Sequence, residues 1–98
     1  MAVAYVTNIH PVTEEDYRRV ADDALAGDRP AGLLLHAAGK DDEGHRWIVE
    51  VWDTEEDSER FAAERLFPAF ERHGVDGSQA TRTRIEIDHL AGTVSTLA

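Results

Sequence analysis

The sequence predicts an α+β fold in the order β-α-β-β-α-β, an antiparallel sheet with two helices on one face. Four short runs are rich in β-branched and aromatic residues or alternate apolar with polar ones. Two acidic stretches, each opened by a threonine, carry apolar residues at helical spacing. Glycine, proline and polar turns separate the runs.

Residues 2–10, AVAYVTNIH, form the first strand and stop at Pro11. Thr13 then opens TEEDYRRVADDALAG, where Thr13 with Asp16 resembles a capping box and Glu14 and Glu15 suit the positive end of a helix. Tyr17, Val20, Ala21, Ala24 and Leu25 make its apolar face, Gly27 caps it, and Pro30 stops it. AGLLLHAAG (31–39) and HRWIVEVWD (45–53) read as two strands of a hairpin joined by KDDEG. Asp53 or Thr54 starts the second helix, with Glu55, Glu56 and Asp57 in its first turn. Pro68 predicts a break near Leu66–Phe67 and a short continuation to Gly74, with Phe61, Leu66, Phe67 and Phe70 buried. Residues 82–90, RTRIEIDHL, alternate as the last strand, and the tail AGTVSTLA is weakly apolar, suited to a short strand or to docking on a partner. This order is the ferredoxin-like arrangement.

The chain has 98 residues, which fits one domain over 1–98. Twenty acidic against ten basic residues give a net charge of −10. That balance, with no basic run, argues against binding nucleic acid or an anionic membrane. There is no cysteine, which excludes disulfides, thiolate metal sites and a cysteine nucleophile. No apolar stretch approaches a membrane span and the N-terminus does not read as a signal peptide, so a cytoplasmic protein is expected. No HxH or HxxxH spacing, phosphate loop or GxSxG elbow is present, so no metal, nucleotide or serine chemistry is assigned.

Strand parity points to a site. With the hairpin turn centred on Asp42, Leu34 faces Glu50, Leu35 faces Val49, and His36 faces Ile48. One face then collects Leu33, Leu35, Ala37, Trp47, Val49 and Val51; being wholly apolar, it is expected under the helices. The other collects Leu34, His36, Ala38, Ile48, Glu50 and Trp52, too apolar for water alone and expected to be covered by a second copy of the chain. His36, in the most apolar strand, is the candidate general base and Glu50 its orienting partner. Both also admit structural readings: a core histidine bonded across the sheet, and a carboxylate paired with Arg46, Arg84 or a second subunit. Trp52, Leu34 and Ile48 are candidate pocket walls and Tyr5 a candidate ligand donor, while Trp47 reads as plain core. His10, His45 and His73 read as solvent-exposed.

The segment GLLLHAAGKDDEGHRWIVEVWDTEEDSERFAAERLFPAFERHG resembles the small proteins of the dimeric α+β-barrel superfamily, near the antibiotic-biosynthesis-monooxygenase group. The likeness extends over residues 2–90 and lies in the apolar strand with His36, the WIVEVWDTEED junction and the RLFPAF segment. It implies a homodimer paired sheet to sheet, with a pocket in each subunit. It also implies cofactor-independent oxygenation or cyclisation of an aromatic or polyketide-like compound, with His36 matching a base that deprotonates a phenolic or enolisable substrate. The Asn-Trp-Arg constellation of such oxygenases is not reproduced in spacing, although Asn8, Trp52 and Arg84 are available. Two other functions remain open: a non-catalytic binding or structural dimer, and a haem-binding oxygenase. A space of roughly 300 Å³ or more beside His36 would favour a ligand site, and Trp52 packed across a dimer axis would favour the structural reading.

Overall fold

The computed structural model describes residues 1–92, in which the four strands β1 (Val3–Asn8), β2 (Leu33–Lys40), β3 (Arg46–Trp52) and β4 (Thr81–Glu86) form one antiparallel sheet in the order β2-β3-β1-β4. Helix α1 (Glu14–Ala24) joins β1 to β2. Helices α2 (Glu55–Phe61) and α3 (Phe67–His73) join β3 to β4 through the π-helical turn Ala62–Leu66. This is the predicted ferredoxin-like arrangement, and the helices cover one face of the sheet. The tail residues 93–98 lie outside the described region, and with them most of the segment expected to dock or to add a strand.

Local chemistry starts the helices where the sequence placed them. Thr13 is extended at the N-cap of α1 and accepts a hydrogen bond from the Asp16 amide at 3.1 Å. Thr54 does the same for Asp57 at the start of α2. The expected break at Pro68 is instead a continuous rod. The Phe67 amide donates to the Ala62 carbonyl five residues back, so the ladder widens by one residue where Pro68 supplies no N–H. Phe67, on the wall of an open cavity between helix and sheet, is 62% exposed, against the expectation that it is buried. Gly74, at φ 64°, closes α3 in the left-handed conformation, as expected.

The two faces of the sheet are reversed from the prediction. Val3 and Tyr5 of β1, Leu33 of β2 and Trp52 of β3 pack in one core with Val20 and Ala24 of α1, Phe61 of α2 and Ala69 of α3. By alternation, Ile48, Glu50 and His36 share this helix-covered face. The Leu35, Val49 and Val51 face points away from the helices, and Leu35 and Val49 are 41% and 36% exposed. Apolarity misassigned the helix side because both faces of this sheet are apolar. Trp47 accordingly lies on the outer face, where its indole N–H donates to the Asp41 carboxylate at 2.7 Å, and is not core under the helices.

The hairpin register also differs. The Asp41 amide bonds the His45 carbonyl, which centres the turn on Glu43, not Asp42. Moving the centre by one residue moves the pairing by two, so His36 lies opposite Glu50, not Ile48. A bulge between Leu33 and Leu35 leaves Leu34 without a partner and lets both Leu33 and His36 face the helices.

Candidate functional site

Between the sheet and its own helices lies a cavity of about 470 Å³. Its walls are mostly apolar, with Ile9, Val12 and Ile48 on one side and Leu66, Phe67 and Phe70 on the other. A few polar groups converge on it: Tyr5, Tyr17, His36, Glu50 and Arg82. An apolar chamber of this size with a small set of placed polar atoms has the form of a small-molecule site.

The polar groups are ordered by the fold. Directly opposed residues of an antiparallel pair bring their Cβ atoms to about 5 Å, close enough for His36 and Glu50 to bond. His36 Nδ1 and Glu50 Oε2 are 2.8 Å apart, with the two side chains only 13% and 17% exposed. The other oxygen of Glu50 accepts from the Trp52 indole N–H at 3.3 Å, so the carboxylate is fixed at both ends. A carboxylate accepting at Nδ1 selects the Nδ1–H tautomer and leaves Nε2 as the acceptor nitrogen. Tyr17, one turn into α1, reaches down from the helix layer and places its hydroxyl 2.6 Å from that Nε2. Three elements thus contribute to one hydrogen-bonded chain, Tyr17–His36–Glu50, closed by Trp52. Burial, and next the negative charge of Glu50, push the Tyr17 phenol above its ordinary pKa, so it is a neutral hydrogen-bond donor.

His36, Glu50, Ile48 and Tyr5 all line the cavity. Tyr5 is buried, bears the Arg82 guanidinium 3.6 Å from its ring centroid, and donates to Glu55 at 3.4 Å. Leu34 and Trp52 do not line it. Leu34 is carried off by the bulge, and Trp52 is fully buried in the core against Phe61, at 5.3 Å between ring centroids. Trp52 therefore acts on the site through Glu50 and not as a wall. Asn8, Trp52 and Arg84 do not converge: Asn8 pairs on the outer face opposite Trp47, and Arg84 bonds Glu55 at 2.9 Å. His73 is not free in solvent, since it bonds Asp23 of α1 at 3.0 Å. His10 and His45 stack on each other at 4.0 Å.

Two polar residues of the cavity, Tyr17 and Arg82, are absent from the sequence candidates. Tyr17 had a signal: it is the one member of the α1 apolar face with a polar tip, and that face must lie over the strands carrying His36 and Glu50. Arg82 had none, because its place over Tyr5 depends on β4 pairing beside β1.

Haem does not fit this donor set. His36 is the histidine that lines the cavity, and both its ring nitrogens are already engaged, one by Glu50 and one by Tyr17, leaving none for an axial bond.

No family model matches the chain, and no curated protein sequence does. Solved structures do. SnoaB, a cofactor-independent oxygenase from Streptomyces nogalater, is 15% identical with a TM-score of 0.64, over 91% of this chain and 95% of its own. Rv0793 from Mycobacterium tuberculosis is 13% identical with a TM-score of 0.68, over 94% of this chain and 100% of its own. A variant of MhuD, solved with two manganese protoporphyrin IX molecules per active site, is 19% identical with a TM-score of 0.66, over 94% of this chain and 99% of its own. At these identities the likeness is one of fold.

Proposed function

We propose that this chain, which has the ferredoxin-like fold of the antibiotic-biosynthesis-monooxygenase-like proteins, is a small-molecule enzyme. It would remove a proton from a flat, largely apolar aromatic or polyketide-like substrate held between its own sheet and helices. The observation that carries this reading is the His36–Glu50 pair, 2.8 Å apart and opening into an apolar cavity of about 470 Å³. That volume exceeds the roughly 300 Å³ at which a ligand site is favoured over tight structural packing. Trp52, which a structural interface would have used, is committed to the chain's own core.

Cofactor-independent oxygenation and cyclisation share a first step, loss of a proton from a phenol, enol or activated carbon. His36 is the base that gains a proton in that step, and Glu50 offsets the charge of the resulting imidazolium. The cofactor-independent oxygenase SnoaB among the structural relatives supports this class of reaction, and neither route draws on a bound cofactor. We place the dimer contact on the outer face, where Leu35, Val49 and Ile85 are exposed. The cavity is then complete within each subunit.

Turnover of anthrone, a flat enolisable tricyclic ketone, tests the proposal through oxygen uptake and product formation. Wild-type activity that falls about 10²-fold or more in His36→Ala is the expected result. Equal rates in the two proteins would remove His36 from the chemistry.

A further inference from the structure

The geometry points to Tyr17 as the group that meets the substrate, accepting the substrate's proton while passing its own inward to His36; this rests on the acid–base reading of the cavity. His36 has two ring nitrogens, and neither is open to a ligand. Nδ1 is held by Glu50 at 2.8 Å and Nε2 by the Tyr17 hydroxyl at 2.6 Å. A substrate cannot reach the imidazole without displacing Tyr17. It can reach Tyr17, which lines the cavity from the helix side while His36 lines it from the sheet. The phenol oxygen has a lone pair left after donating to Nε2. The two rings are parallel to within 2°, with centroids 6.3 Å apart, a separation bridged by the hydrogen bond.

The step balances without any electron transfer. The substrate O–H breaks as a new Tyr17 O–H forms, and the original Tyr17 O–H breaks as His36 Nε2–H forms. The products are a substrate phenolate or enolate, a neutral Tyr17, and an imidazolium resting on the Glu50 carboxylate. No tyrosinate accumulates, which suits a phenol that burial and the Glu50 charge keep protonated. Arg82, which has no carboxylate partner among the described residues, lines the same cavity and favours an anion there. The arrangement narrows the substrate class. Tyr17 needs a hydroxyl donor, so phenols and enols are accepted, including the enol form of a ketone such as anthrone, and carbonyl compounds that cannot enolise are not.

4-Nitrophenol, whose phenolate is coloured, tests the relay at equilibrium and needs no turnover. Its ionisation is read by visible absorbance when bound to wild type, Tyr17→Phe and His36→Ala, with binding measured separately by calorimetry. The expected result is a bound phenolate-to-phenol ratio raised about tenfold by wild type, an apparent pKa about one unit lower. Tyr17→Phe should still bind the probe and lose most of that shift, and His36→Ala should lose it too. In wild type, the ¹⁵N resonance of His36 Nε2 should move from the unprotonated to the protonated range on binding, a readout that does not depend on any variant folding. A shift kept or enlarged in Tyr17→Phe but lost in His36→Ala would overturn the inference, leaving Tyr17 as a mere cover over a direct base. A shift that survives in His36→Ala would defeat the acid–base reading itself. No binding of the probe to wild type would overturn the phenol class and the relay with it, while the anthrone assay would still judge the function.

Discussion

Glu50 is the residue on which the site's charge depends. It bonds His36, receives the Trp52 indole N–H, and in the proposed reaction would balance the imidazolium. Glu50→Gln keeps the shape and removes the charge, and its amide can present an N–H to Nδ1 and select the wrong tautomer. Anthrone turnover in this variant should fall by about 10²–10⁴-fold, with far-UV circular dichroism unchanged. Tyr17 links the same site to alkaline stability. Its pKa is raised in the folded state, so its contribution is fully present below the ordinary value of 10.0 and is lost as pH rises through the folded value. Tyr17→Phe should therefore flatten the fall in urea midpoint above about pH 10. Asp23 works in the opposite sense. The Arg72 guanidinium, then His73, hold its carboxyl below the ordinary 3.8, so the clasp between α1 and α3 is intact above that value and is lost as pH falls through the lowered one. Asp23→Asn should blunt the acid end of a pH-dependent melting series.

The elements show how single residues set geometry for the site. The bulge at Leu34 is what allows Leu33 to sit in the core while His36, three residues on, also faces the helices. Just before it, Gly32 has φ +82°, and a Cβ there would collide with the Asp57 carboxyl at the start of α2. Its carbonyl also accepts the Asp53 amide at 2.8 Å, tying β2 to the end of β3. Gly32→Ala combines left-handed strain with that collision and should cost about 1–3 kcal/mol, read as a lower urea midpoint. The π turn at Ala62–Leu66 was foreshadowed only as a break, because Pro68 announces a missing N–H but not how the ladder accommodates it.

For the whole molecule, the consequence is that cavity and proposed dimer surface lie on opposite sides of one sheet. Leu35, Val49 and Ile85 leave an apolar face uncovered by the helices, whereas the Tyr17–His36–Glu50 chain is enclosed within one subunit. Val49→Asp should therefore shift sedimentation from dimer to monomer while keeping the raised phenolate fraction of bound 4-nitrophenol within about twofold of wild type, because additivity holds for sites without shared partners. Loss of both together would mean that the cavity needs the second subunit. No helix among the described residues is long and apolar enough to cross a membrane.

The order of elements, the Thr13 cap and the hairpin were legible in the sequence, which also singled out His36 and Glu50 as candidates without their register. These depend on local rules: side-chain period, capping oxygens and the φ preferences of glycine and proline. Which face of the sheet the helices cover follows from packing alone. Period-two alternation separates two faces but does not label them, and here Leu35 and Val49 are as apolar as the core residues yet stay exposed. The same limit hid the register, where one residue in the turn changes the partner of His36 from Ile48 to Glu50. It hid Tyr17 as well. Tyr17 and His36 are 19 positions apart on different elements, and their contact exists because α1 packs across β2 and β3. Local propensity places each of them on an element, but the packing of helix on sheet sets the distance between them.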